Sequence, residues 1–109
     1  MFATHCETST GVINPIEKIA GIVRATEAVF VVDAVSSIAG TPLYMDAWGI
    51  DIVATGGQKA FMLPPGIALV SVSDKGWRGG GVLSAECRTA RYDEGGGCCR
   101  QSDPYSCYV

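Results

Sequence analysis

The sequence predicts an α/β domain built on a mostly parallel sheet with flanking helices. Three observations lead there. Ala28-Val-Phe-Val-Val is a continuous apolar run ending in Asp33, the pattern of a strand covered on both faces, as in a parallel sheet. Ile16, Ile19, Ala20 and Val23 recur at helical spacing just before it. Two further apolar segments, Ile50-Asp-Ile-Val-Ala and Ala68-Leu-Val-Ser-Val, flank a polar turn that contains Lys59.

Taken in order, Met1-Phe-Ala-Thr-His begins as if inside a strand. Residues 6–14 are polar and turn-like. Asn14, Pro15 and Glu17 read as the N-cap, first position and third position of a helix running to about Arg24 or Ala25. The strand 28–33 follows. Residues 34–43 form a loop of small residues and turn formers. Met45-Asp-Ala-Trp is one helical turn closed by Gly49. The strands at 50–54 and 68–72 are expected to run antiparallel, joined by the Lys59 loop. From Gly76 the chain becomes rich in Gly, Arg and Cys, and little stable structure is expected beyond a short helix near 82–91. Such a shift without packing logic is what a change of reading frame produces. A genuine flexible tail is the alternative, and resequencing the coding DNA separates the two.

With 109 residues the chain has room for one small domain. A hydrophobic content of 48% and a charged content of 17% exclude a disordered chain. A net charge of -3 leaves no basic surface for nucleic acid. No apolar run reaches the roughly 18 residues of a membrane span. The first residues lack a signal-peptide pattern, so a cytoplasmic location is expected, with an organelle left open. Of the five cysteines, Cys6 stands alone and Cys87, Cys98, Cys99 and Cys107 lie late. With His5 as the only histidine and no Cys-x-x-Cys, zinc-ligand spacing is missing and a metal-binding module is disfavoured.

Asp33 and Lys59 both fall just past the ends of predicted strands, the edge at which open α/β sheets bind ligands. The lysine amine can form a Schiff base with an aldehyde, above all pyridoxal phosphate. A carboxylate approached through Phe30-Val31-Val32 is expected to be buried and to need a cationic partner such as a protonated pyridine nitrogen. The other reading of Asp33 is a cap on the following turn. Gln58 offers an amide to a phosphate oxygen or to its own loop. Thr8, Ser9 and Thr10 offer hydroxyls to the ring hydroxyl or to Asp33, or simply form a turn. Val35 packs on a ring face or in the core. His5 reads as a packed, satisfied histidine.

The blocks Thr4-His-Cys-Glu-Thr-Ser-Thr-Gly-Val12, Val32-Asp-Ala-Val-Ser-Ser37, Met45-Asp-Ala-Trp-Gly-Ile-Asp51, Thr55-Gly-Gly-Gln-Lys-Ala60 and Leu63-Pro-Pro-Gly66 resemble, in this order, the class V aminotransferases of the fold type I pyridoxal phosphate enzymes. Within these the likeness is to alanine–glyoxylate and serine–glyoxylate aminotransferases, over residues 3 to about 75. The resemblance implies that Lys59 is the catalytic Schiff-base lysine and that Asp33 meets the pyridine nitrogen of pyridoxal 5'-phosphate. It places Gln58 at the phosphate, Val35 under the ring and Thr8 near the ring. It implies amino-acid and 2-oxo-acid substrates, with an amino group passing from alanine or serine to glyoxylate, and a homodimer.

The departures from the family pattern carry equal weight. The resemblance implies that residues 1–75 are a central piece of the large, cofactor-binding domain, with 76–109 a tail. The Gly-rich phosphate loop, the aromatic residue stacked on the ring and the carboxylate-binding arginine have no match here. Gly57 stands where the family commonly has Ser. The 109-residue chain is therefore expected to be inactive by itself, and the resemblance implies that a full-length parent is a transaminase. A cysteine desulfurase-like lyase of the same fold is the near alternative, but a histidine commonly precedes its lysine where this chain has Gln58. A non-catalytic remnant is the alternative from another class.

Overall fold

The computed structural model describes residues 1–79 and the two-residue strand at 107–108. The frame of the Gly/Arg/Cys-rich tail and a helix near 82–91 lie outside the described residues.

The main sheet is mixed, in the spatial order β1 (Phe2–Thr4), β4 (Val31–Asp33), β5 (Ile52–Gly56), β6 (Ala68–Val72) and β7 (Cys107–Tyr108). β1, β4 and β5 run parallel, with Thr4 opposite Asp33 and Asp33 opposite Ala54. β6 returns antiparallel to β5, as the short connection requires, and β7 pairs antiparallel with β6. Between β1 and β4 the chain makes a small hairpin, β2 (Cys6–Glu7) with β3 (Val12–Ile13), and then the helix α1 (Ile16–Val23). The segment expected to be only a turn therefore contains a ladder, and Gly11, at φ 69°, closes it in a conformation that suits glycine.

α1 forms for the predicted reason. Ile16, Ala20 and Val23 are buried on its inner face and pack on Phe30, Val32, Ala34, Ile50 and Val53. Its start differs from expectation. Pro15 is the cap, no side chain caps the helix, and Asn14 is occupied elsewhere. The Asn14 amide donates to the Thr4 carbonyl at 2.8 Å, which ties the hairpin exit to the end of β1. Glu17 accordingly falls at the second helical position.

β4 is shorter than the apolar run because residues 28–30 bond outside the ladder. The Phe30 amide donates to Asp51 Oδ2 at 2.8 Å, and its carbonyl accepts from the amides of Asp51 and Ile52. The Ala28 carbonyl accepts from Lys75 Nζ at 2.8 Å, and the Val29 carbonyl from the N-terminal amine. The same use of Asp51 moves the start of β5 to Ile52. Asp51 is 4% exposed. It also accepts from the Ser73 hydroxyl at 3.1 Å and meets Lys75 Nζ at 3.4 Å. This knot fastens the lower edge of the sheet to α3 (Asp74–Gly79), a helix that takes in Gly76 where irregular chain was expected. Gly76 is required there, since a Cβ would come 2.8 Å from the Asp51 carbonyl.

α2 (Met45–Trp48) is the expected single turn, ended by Gly49 in the left-handed conformation at φ 73°. No helix among the described residues is long and apolar enough to cross a membrane.

Candidate active site

The parallel strands β1, β4 and β5 end side by side, and the segments after their C-terminal ends enclose a cleft of about 300 Å³. β1 and the hairpin contribute Thr4, Cys6, Glu7 and Thr8. The segment that ends β4 contributes Asp33, Val35 and Ser36. The loop after β5 contributes Lys59. Four of the five predicted site residues, Thr8, Asp33, Val35 and Lys59, thus meet on one cleft.

The fifth, Gln58, is exposed and does not line the cleft. Its amide folds back over Gly56, where a Cβ would lie 2.8 Å from Oε1. The structure therefore places Gln58 against its own loop.

Lys59 sits at the head of the β5–β6 loop. Gly57 closes that loop by donating to the Ile67 carbonyl and accepting from the Leu63 amide, each at 2.9 Å. A Cβ at Gly57 would approach Leu63 Cβ to 3.2 Å, so the loop is packed around a glycine. The Lys59 side chain is exposed on the cleft, not buried at the end of the sheet, and among the described residues no hydrogen bond engages its Nζ.

Asp33 departs from expectation. Its side chain is exposed, because the covered part of the strand ends at Val32. The carboxylate therefore needs no buried cation to stay charged. Its Oδ1 accepts from the Val35 amide at 2.9 Å, the turn-capping geometry. Among the described residues no hydrogen bond engages Oδ2, so one oxygen remains available on the cleft.

Thr8 pairs its hydroxyl with that of Ser36 across the cleft wall. Ser9 turns away, donating both its amide (3.0 Å) and its hydroxyl (2.8 Å) to Glu7 Oε1. These bonds, the amide first, hold the Glu7 carboxyl below the usual carboxylate range. Ser36 and Glu7 were given no role from sequence. Ser36 lies inside the Val32–Ser37 block, but its meeting with Thr8 depends on β1 pairing with β4. Beneath the cleft, His5 is 2% exposed, and its Nδ1 lies 2.9 Å from Ser37 Oγ. It is the packed, satisfied histidine expected.

The cleft thus presents an amine that can act as a nucleophile, a carboxylate oxygen that can face a cation, and hydroxyls. Its position, outside the carboxyl ends of parallel strands, is the general ligand position of α/β sheets. A family model for aminotransferase class-V matches residues 1–92. The chain belongs to the class-V aminotransferase family. The match runs on past Lys75, near which the resemblance seen in the sequence ends. Among relatives of this class-V aminotransferase chain, the alanine–glyoxylate aminotransferase of Oryctolagus cuniculus is 44% identical over 75 residues, covering 69% of this chain and 19% of that protein. A protein named soluble hydrogenase, small subunit, from a Synechococcus species is 50% identical over 78 residues, covering 71% of this chain and 20% of that protein. The ureidoglycine–glyoxylate aminotransferase of Bacillus subtilis superposes with a TM-score of 0.71 at 33% identity, over 78% of this chain and 22% of that one. The chain spans about a fifth of the length of the curated relatives it matches.

Proposed function

We propose that this class-V aminotransferase chain carries the lysine and the carboxylate that hold pyridoxal 5'-phosphate in a transaminase moving an amino group from alanine or serine to glyoxylate. The observation that carries the reading is the meeting on one cleft of Asp33, the last residue of β4, and Lys59, in the loop that follows the adjacent parallel strand β5.

The donor set on the cleft suits this group. Lys59 Nζ is an exposed amine able to bond an aldehyde carbon. The free Asp33 Oδ2 is able to face a cationic pyridine nitrogen. The Thr8 hydroxyl, now paired with that of Ser36, would meet a ring hydroxyl, and Val35 would flank a ring. When bound, the cofactor supplies an electron sink for a carbanion at an amino-acid α-carbon. Asp33 would keep that sink cationic. Lys59 Nζ, once released by the incoming amine, would take the α-proton and return it to the cofactor carbon, serving as base and then acid. No helix N-terminus able to hold the phosphate faces the cleft among the described residues, and Gln58 would have to swing from Gly56 to contribute. Gln58 before Lys59 favours transamination over desulfuration. Amino acids and 2-oxo acids are the proposed substrates, and a second copy of the protein the proposed partner.

The cofactor role is tested on the 109-residue chain, and the reaction in a chimera in which residues 1–75 replace the matching segment of the rabbit alanine–glyoxylate aminotransferase. Glycine formation from glyoxylate with alanine or serine, abolished by Lys59→Ala, supports the reading. A folded chimera that binds the cofactor but forms no glycine from either donor overturns the reaction assignment.

A further inference from the structure

Below the cleft floor lies a polar cluster that the proposed chemistry does not use. His5, Ser37 and Thr55 are 2%, 3% and 6% exposed, deep positions for polar side chains. They converge on one backbone atom, the carbonyl oxygen of Ala34, the residue after Asp33. The hydroxyls of Ser37 and Thr55 each lie 3.4 Å from it, and the amides of Ser37 and Ile38 donate to it at 3.1 Å. His5 Nδ1 then meets Ser37 Oγ at 2.9 Å. The backbone repeats the link, because the His5 amide donates to the Asp33 carbonyl at 2.8 Å. The two peptide groups that follow Asp33, 33–34 and 34–35, are therefore both held, and the second carries the Val35 amide.

We propose that His5 and Ser37 are positioning residues for the Asp33 carboxylate, acting through the Ala34 carbonyl, and that His5 carries its proton on Nδ1. Donor counting leads to the proton. Ser37 has one hydroxyl hydrogen. If that hydrogen goes to the Ala34 carbonyl, only Nδ1–H can make the His5–Ser37 bond. The relay then runs in one direction: His5 Nδ1–H to Ser37 Oγ, and Ser37 Oγ–H to Ala34 O. The other tautomer turns the Ser37 hydrogen toward His5 and cuts the carbonyl out of the chain. With the relay intact, the turn from Ala34 to Ile38 is fixed, and with it the Val35 amide that clamps Asp33 Oδ1. Thr55 reaches the same carbonyl from β5, the strand that leads to Lys59, so one atom references both halves of the site.

The inference rests on the reading of Asp33 as the carboxylate that faces the cofactor ring, and its first test does not depend on that reading. In the ligand-free chain, nitrogen-15 chemical shifts should show His5 protonated on Nδ1, and a His5 protonated on Nε2 alone overturns the relay. In Ser37→Ala, amide exchange at Val35 should speed up by about threefold to tenfold, the worth of one hydrogen bond, while the core amide of Val53 stays protected. Unchanged exchange at Val35 overturns the positioning role. Pyridoxal phosphate affinity should fall by a similar factor in Ser37→Ala but show no further loss when Ser37→Ala is added to Asp33→Asn, since both act through one carboxylate. Full additivity refutes action through Asp33. His5→Asn, whose amide can stand in for Nδ1–H, should restore the Val35 protection that His5→Leu loses. Equal loss in both would refute the hydrogen-bond basis. If the wild-type chain binds no pyridoxal phosphate, the cofactor reading fails while the nitrogen shifts and the Val35 exchange still decide the relay.

Discussion

The Val35 amide clamps Asp33 Oδ1 at 2.9 Å, so two residues assigned separately to a pyridine nitrogen and a ring face form one turn. Capping therefore occupies only one of the two carboxylate oxygens of Asp33. Oδ1 orders the turn, and among the described residues no hydrogen bond engages Oδ2. Asp33→Asn keeps an acceptor for Val35, whereas Asp33→Ala does not. Asp33→Ala should lower stability by about 1 kcal/mol, the usual worth of such a cap, and Asp33→Asn by less. Both should weaken pyridoxal phosphate binding. Urea denaturation beside a fluorescence binding titration separates the two effects.

Asp51 is expected to be the most sensitive polar position outside the cleft. Its carboxylate satisfies the buried Phe30 amide, and Asp51→Ala leaves that amide without its partner. The loss should be about 2–4 kcal/mol in urea denaturation. Lys75→Ala should cost no more than about 1 kcal/mol, because the Lys75 side chain is 41% exposed and its ion pair is screened.

Gly76→Ala tests the same knot by sterics. The new methyl would come 2.8 Å from the Asp51 carbonyl and 3.0 Å from Val72 Cγ1. Backbone must move to admit it, and a loss of about 1–3 kcal/mol is expected from thermal or urea unfolding. Gly57→Ser should be milder, since the neighbour there is the Leu63 side chain at 3.2 Å, which can shift.

The elements that depend on local signals were legible in the sequence. The apolar stripe of α1, the Gly49 stop and the antiparallel return from β5 to β6 all follow from period, capping and loop length. What was not legible depends on long-range pairing. Asn14 looks like a helix cap until β1 is placed beside it and the Thr4 carbonyl claims its amide. Asp51 looks like a break in an apolar strand until the Phe30 amide is seen to need it. The same holds at the cleft. Lys59 and Asp33 stand out by their strand-end positions, while Ser36 and Glu7 join the cleft, and Thr55 the buried cluster beside it, only through the pairing of β1, β4 and β5. Asp33 is exposed where the sequence predicts burial, because an apolar run indicates burial up to its last residue and not beyond.

Stability should also depend on pH through His5. Burial pushes its imidazole below the ordinary value of 6.5. Just below that pH the unfolded chain binds a proton at His5 that the folded chain does not. Stability is therefore full above about pH 6.5 and falls as the pH drops toward the folded value, with no further loss from His5 below it. Urea midpoints from pH 8 to 5 should show this decline, and His5→Asn should remove the part that begins near neutrality. Glu7, held below the usual carboxylate range by Ser9, adds a contribution of the same sign at more acid pH.

The most direct measurement is to incubate the chain with pyridoxal 5'-phosphate, reduce with borohydride and locate the label by peptide mass spectrometry. The chain offers Lys18, Lys59 and Lys75 as competing side-chain amines. The label is expected on Lys59, in proportion to a visible absorbance band that Lys59→Ala abolishes and Asp33→Ala weakens. Labelling spread evenly over Lys18, Lys59 and Lys75, or a band that survives Lys59→Ala, would contradict a cofactor site built from Lys59 and Asp33.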